Sequence, residues 1–219
     1  MGTASVQTSI AIIFISLCVG FLSFYFIGDL SKKKKKIYIG ELVSQITNFV
    51  LFMWLGKILL NLSVFLKDPL AILAYPSNSN AVYIAVLFSF FAIAIKSKRQ
   101  KIDIIPFLNA FIHVFLITSF LYEFIQIVWN NNTYSIRYLG LLAVLIITFV
   151  VMHARVTIYR LNIIMAIGWT LGTFGLTFVM PFMMVFGYTM APWFLGLIFV
   201  ICLIVIILKK EEGVVNGRN

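Results

Sequence analysis

Charge is scarce in this sequence, and acid scarcer. Charged residues make up 11% of the 219, with 7 Asp and Glu against 17 Lys and Arg, while 62% are hydrophobic. A soluble domain of this length exposes too large a surface to hide so much apolar material, so a water-soluble globular protein is excluded. The only two cysteines, Cys18 and Cys202, both lie in apolar runs. That excludes a disulfide framework, and no Cys/His spacing of the zinc type occurs, so no metal and no cofactor is expected. G-x-S-x-G, H-E-x-x-H, a phosphate loop and a carboxylate pair are likewise missing. A retinal protein would need a lysine in the middle of its last helix, and "APWFLGLIFVICLIVIILKK" has none before its end.

What the sequence has is long apolar runs. A helix needs about 20 apolar residues to cross the hydrocarbon core. That length predicts seven spans, near 8–28, 38–62, 81–95, 104–128, 136–152, 161–182 and 186–208. Inside lipid each must satisfy its own backbone, so all are expected to be helices in one polytopic domain. The fold class is therefore an all-α integral membrane protein with seven transmembrane helices. The lysines Lys32–Lys36 follow the first apolar run, the wrong order for a signal peptide, so that run reads as a first helix. Lys96, Lys98, Arg99 and Lys101 follow span 3; Arg155 and Arg160 follow span 5; Lys209, Lys210 and Arg218 follow span 7. Thus 14 of the 17 basic residues fall in alternate loops, and Lys67 and Arg137 in the others. The positive-inside rule then puts the N-terminus outside and the C-terminus in the cytoplasm. The net charge of +10 is that of topology anchors beside anionic headgroups rather than of a nucleic-acid binder. No nucleic-acid partner is expected, and the longest outside loop, 63–80, is too short for a domain.

Polar residues within spans are costly and therefore informative. Span 4 carries Asn109, His113 and Glu123, which helical geometry places within a sector of about 80°. They would line a cavity or headgroup site, or hydrogen-bond to neighbouring helices. Counting about 1.5 Å per residue from Ile104 puts Glu123 roughly 28 Å up, near the outer interface. Lys57 on span 2 reaches almost the same height, and Arg137 starts span 5. The three make a candidate charged cluster, against the alternative that Lys57 snorkels and Glu123 meets water. Glu41, Gln45 and Asn48 share one face of span 2, suited to a polar groove or to interhelical bonds. Gly168 and Gly172 in "GWTLG" have the small-xxx-small spacing of a close helix contact.

The order of these landmarks resembles the prolipoprotein diacylglyceryl transferase family. "LGKILLNLSVFLKDPLAILAYPSNSNAVYIAVLF" is similar to that family's second and third helices, with Gly56-Lys57 matching its glycine and basic residue and Asp68-Pro69-Leu70 its turn. "KSKRQKID" and "LYEFIQ" resemble its basic turn and its G-R-x-G-N-F-I-N-G-E signature. "NTYSIRYLGLL" stands where the family has a histidine-proline-threonine loop, and "IGWTLGTFGLTFVMP" resembles its Y-G-x-x-R-F-x-x-E helix. The resemblance covers nearly the whole chain, through spacing and hydropathy more than identities, and it implies the same seven-helix topology. It also implies phospholipid, phosphatidylglycerol in particular, as a partner.

The departures fall on the family's functional positions. Tyr83 replaces the motif histidine, with Ile84 and Ala85 for its two glycines. Phe120 and Glu123 replace the signature's arginine and asparagine, and Ile127-Val128 its closing glycine-glutamate. Thr173 and Thr177 replace an arginine and a glutamate, and Asn131 the loop histidine. Diacylglyceryl transfer to a cysteine thiol needs a base and cationic groups for the phosphate. Only Lys57 remains as a phosphate contact, which makes Glu123 a partner for Lys57 rather than a catalyst. The leading expectation is a non-enzymatic lipid-binding or accessory protein of a bacterial cytoplasmic membrane. Its expected ligand-binding residues are Lys57, Glu123, Arg137 and Asn109, and a membrane-protein partner is allowed for. The alternatives are an active transferase in which Tyr83, His113 and Lys57 take over the chemistry, or a small-solute transporter or complex subunit whose path is lined by Glu41, Gln45, Asn48 and His113.

Overall fold

The structure, a computed structural model, describes residues 3–74, 78–100, 103–130, 132–201 and 204; Lys101, Asn131, Cys202, Lys209, Lys210 and Arg218 lie outside these. The helices are α1 (Thr3–Ile27), α2 (Lys32–Leu60), α3 (Leu62–Lys67), α4 (Ala71–Ala74), α5 (Ser79–Gln100), α6 (Ile104–Asn130), α7 (Ser135–His153) and α8 (Ile158–Val179). A hairpin of β1 (Met184–Val185) and β2 (Tyr188–Thr189) follows, and then a short helix α9 (Pro192–Ile201). Six helices, α1, α2, α5, α6, α7 and α8, are long and apolar enough to cross a membrane. All six leave large apolar side chains exposed, among them Phe14, Trp54, Phe91, Phe124, Ile147 and Phe178. In water such faces would drive association; in hydrocarbon they cost nothing. The chain is an all-α, multi-pass membrane protein.

Local chemistry moves several expected boundaries. Helix α2 begins at Lys32 instead of residue 38, so the five lysines open the helix rather than forming a loop. Lysine is a good helix former, and Ser31 caps the start by accepting from the Lys34 N–H at 3.5 Å. The helix stops at Asn61, whose Nδ2 donates to the Lys57 carbonyl at 2.9 Å. The expected outside loop contains α3 and α4. Asp68 Oδ1 accepts from the N–H groups of Leu70 at 3.0 Å and Ala71 at 3.3 Å, so the Asp-Pro-Leu step is a capped turn. Asn78 Oδ1 starts α5 by accepting from the Ala81 N–H at 2.9 Å.

The largest correction concerns the seventh span. Its first residues form the hairpin instead of helix, with Val185 opposite Tyr188. Phe186 at φ 51° and Gly187 at φ 82° make the turn. Two successive positive φ values are the type I′ geometry that matches strand twist. The helix starts only at Pro192 and is described to Ile201; most of the remainder of the expected span lies outside the described residues.

The chain divides into two units, Met1–Gly28 with Leu108–Asn219, and Asp29–Phe107. In the first, α6 is the central helix: 44% of its most apolar window is buried, against 22% or 28% for the other five long helices. Helix α1 runs antiparallel to it, with Gly20 so close to Thr118 and the Val114 carbonyl that no Cβ would fit. Gly168 and Gly172 of α8 pack on Leu145 and Leu141 of α7, the close contact that "GWTLG" predicts. In the second unit, α2 and α5 are antiparallel neighbours. Gly56 meets Ala81, with 3.0 Å from an ideal Cβ to its carbonyl, and the Phe52 and Phe88 rings meet edge to face at 5.7 Å.

Candidate functional site

In the first unit the polar groups converge on α6. Asn109 Nδ2 donates to Asn162 Oδ1 of α8 at 3.0 Å. His113 Nε2 shares a hydrogen bond of 3.0 Å with Ser23 Oγ of α1. Its ring lies edge-on to Phe24 at 5.7 Å and to Phe149 at 5.5 Å. Glu123, 3% exposed, takes a hydrogen bond from Ser135 at the start of α7. The three therefore reach three different helices. Because α6 is central, a narrow polar sector becomes three separate interhelical bonds instead of the lining of one groove.

Glu123 also borders a small cavity with Tyr134, Ser135, Tyr138, Met180, Phe182 and Met184, whose free space of about 10 Å³ holds roughly one water molecule. Ligand pockets run to about 300–1,000 Å³. Behind it, Trp169 Nε1 donates to Tyr138 Oη at 3.1 Å. Arg137 is exposed and does not reach Glu123: its Nη1 donates to the Val179 carbonyl at the end of α8, at 2.6 Å. A guanidinium at a helix C-terminus is well placed against the dipole, which accounts for its turning away from the carboxylate. Ser16 Oγ and Thr118 Oγ1 are buried in this unit without a hydrogen-bond partner.

The resemblance-derived positions carry groups committed to their own helix. Thr173 Oγ1 donates to the Trp169 carbonyl at 2.7 Å and the Thr170 carbonyl at 3.1 Å. Thr177 Oγ1 donates to the Phe174 carbonyl at 2.6 Å. Phe120 is half-buried; Asn131 lies outside the described residues.

The second unit holds Tyr83 and Lys57, both buried, on α5 and the last turn of α2. No carboxylate of this unit pairs with Lys57; the one ion pair found among the described residues joins Lys96 Nζ to Glu41 Oε2 at 2.5 Å. Lys96 also donates to Ser44 Oγ at 3.4 Å. Gln45, nine-tenths buried, leaves Oε1 without a partner. Around this pair, Ile93, Ser97, Ile104 and Phe107 close a second space of about 10 Å³. The Glu41–Gln45 face thus makes an interhelical contact through a lysine expected only as a topology anchor. The signal that sequence reasoning passed over was depth: Glu41 and Lys96 both lie a few turns from the lysine-rich end. Ser23, Asn162 and Ser135 had no such signal.

Among the described residues no three His, Cys, Asp or Glu side chains gather to hold a metal ion. The chain matches no protein-family model, no curated protein and no solved structure.

Proposed function

We propose that this chain is a non-enzymatic, lipid-binding or accessory protein of a bacterial cytoplasmic membrane, N-terminus outside and C-terminus inside, with a plan derived from the diacylglyceryl transferases. The observation that carries the reading is the use made of the corresponding positions. Thr173 and Thr177 spend their hydroxyls on carbonyls one turn back, and Glu123 is bound to Ser135 beside a water-sized space. Neither threonine offers a base, and none of the three offers a cation to a phosphodiester. A protein that keeps the helices and loses the acid–base and phosphate-holding groups retains lipid contact without transfer chemistry. Fold-level likeness does not carry activity. Expression in bacteria depleted of their diacylglyceryl transferase tests this. The reading expects no growth, with the protein present in the membrane fraction; restored lipoprotein modification refutes it.

A further inference from the structure

Helices α2 and α5 fix which charges share one end of the second unit. The contacts Gly56 to Ala81, Phe52 to Phe88 and Glu41 to Lys96 run in opposite senses along the two helices. The start of α2 therefore lies beside the end of α5. At that end Lys32, Lys33, Lys34, Lys36 and Arg99 are exposed, while Lys35 is buried. Successive helical residues are turned by about 100°, so the four exposed lysines ring the start of α2 on every side except the one where Lys35 turns inward. No acidic residue stands in this first turn, and the nearest carboxylate along the helix, Glu41, is already held by Lys96. Four like charges at the positive end of a helix dipole repel one another and the dipole. The carboxylates of this unit near that end are Asp29, just before α2, and Asp103, just after α5 and close to Tyr38; five exposed cations outnumber them, and the excess draws anions from outside the chain.

The shaft that follows identifies the source. Ile37, Val43, Val50, Leu51, Trp54 and Leu59 are exposed along α2, so the lysines stand where a lipid-facing helix leaves the hydrocarbon. A protein partner would meet one face of such a ring; headgroups surround it. We propose that Lys32, Lys33, Lys34 and Lys36, with Arg99, form a collar that selects anionic phospholipids by their phosphodiester charge. This inference needs only that α2 spans the bilayer, and it stands whether or not the chain has transferase activity.

The test uses the full chain in nanodiscs of equal phosphatidylglycerol and phosphatidylcholine, with the lipids retained on extraction counted by native mass spectrometry. Wild type should retain phosphatidylglycerol severalfold over phosphatidylcholine. Each lysine removed should lower that preference by up to about fivefold, the effect of one cation at an anionic surface. Lys33→Gln should reduce it, the fourfold Lys→Gln variant abolish it, and the fourfold Lys→Arg variant keep it, while Lys67→Gln changes nothing. High salt should weaken it. The proposal is overturned if Lys33→Gln and the fourfold Gln variant retain the wild-type preference, if the Arg variant loses it, or if Lys67→Gln lowers it equally. Displacement by inorganic phosphate at constant ionic strength would mean a free-anion site and would also overturn it. Should the Gln variant fail to insert, Lys33→Gln and the Arg variant decide alone.

Discussion

The ion pair between Glu41 and Lys96 is the most exposed of the structure's claims to measurement. The charges are 2.5 Å apart, with side chains 21% and 24% exposed, so they are neither solvent-screened nor fully desolvated. At 4 Å two unit charges attract by about 4 kcal/mol at an effective dielectric of 20. Most of that gain offsets desolvation and the ordering of two long side chains. A net coupling of about 1–2 kcal/mol is what remains. Lys96→Met alone should cost about 2–3 kcal/mol, because it leaves the half-buried Glu41 carboxylate without its cation. Adding Glu41→Gln should recover part of that loss. Unfolding in mixed micelles by denaturing detergent, followed by tryptophan fluorescence, measures the four corners of the cycle. A coupling below about 0.3 kcal/mol, or a double variant as unstable as the sum of the singles, refutes the pair.

Three further expectations follow from packing and hydrogen bonding. Gly20→Ala should destabilise by about 1–3 kcal/mol because the methyl meets backbone as well as Thr118; Gly140→Ala, with nothing within 4 Å, should be neutral or stabilise by up to about 1 kcal/mol. Detergent unfolding separates the two, and equal effects would contradict the α1–α6 contact. Ser135→Ala should cost about 1–3 kcal/mol by stripping a buried carboxyl of its donor, whereas Glu123→Gln, which can still bond to Ser135, should cost less in the same assay. Asn109→Ala should cost about 0.6–1.7 kcal/mol, and adding it to Asn162→Ala should cost little more than Asn162→Ala alone, because the bond between the two is already lost.

The long helices were legible because bilayer thickness sets their length, and six of the apolar runs have that length. The α7–α8 contact was legible in the spacing of Gly168 and Gly172. The hairpin was not: Met184–Thr189 is as apolar as the spans, and hydropathy cannot separate strand from helix there. Pro181, Gly187 and Pro192 were the available punctuation, two helix breakers flanking a residue suited to positive φ. The helical state of Lys32–Lys36 was hidden because charge suggests a loop, although lysine suits a helix end whose heads reach water. At the candidate site, the helix and height of Glu123 could be read from sequence. Its partner could not, since Ser135 meets it only because a short turn folds α7 back on α6.

The proposed function rests on the groups at the transferase-like positions being spent on hydrogen bonds inside the protein, as Thr173 and Thr177 are on their own helix. Purified protein mixed with labelled phosphatidylglycerol and a lipoprotein signal peptide bearing its cysteine tests it most directly. The account predicts no labelled peptide above a protein-free control. Labelled peptide that disappears with Tyr83→Phe or His113→Phe would contradict it.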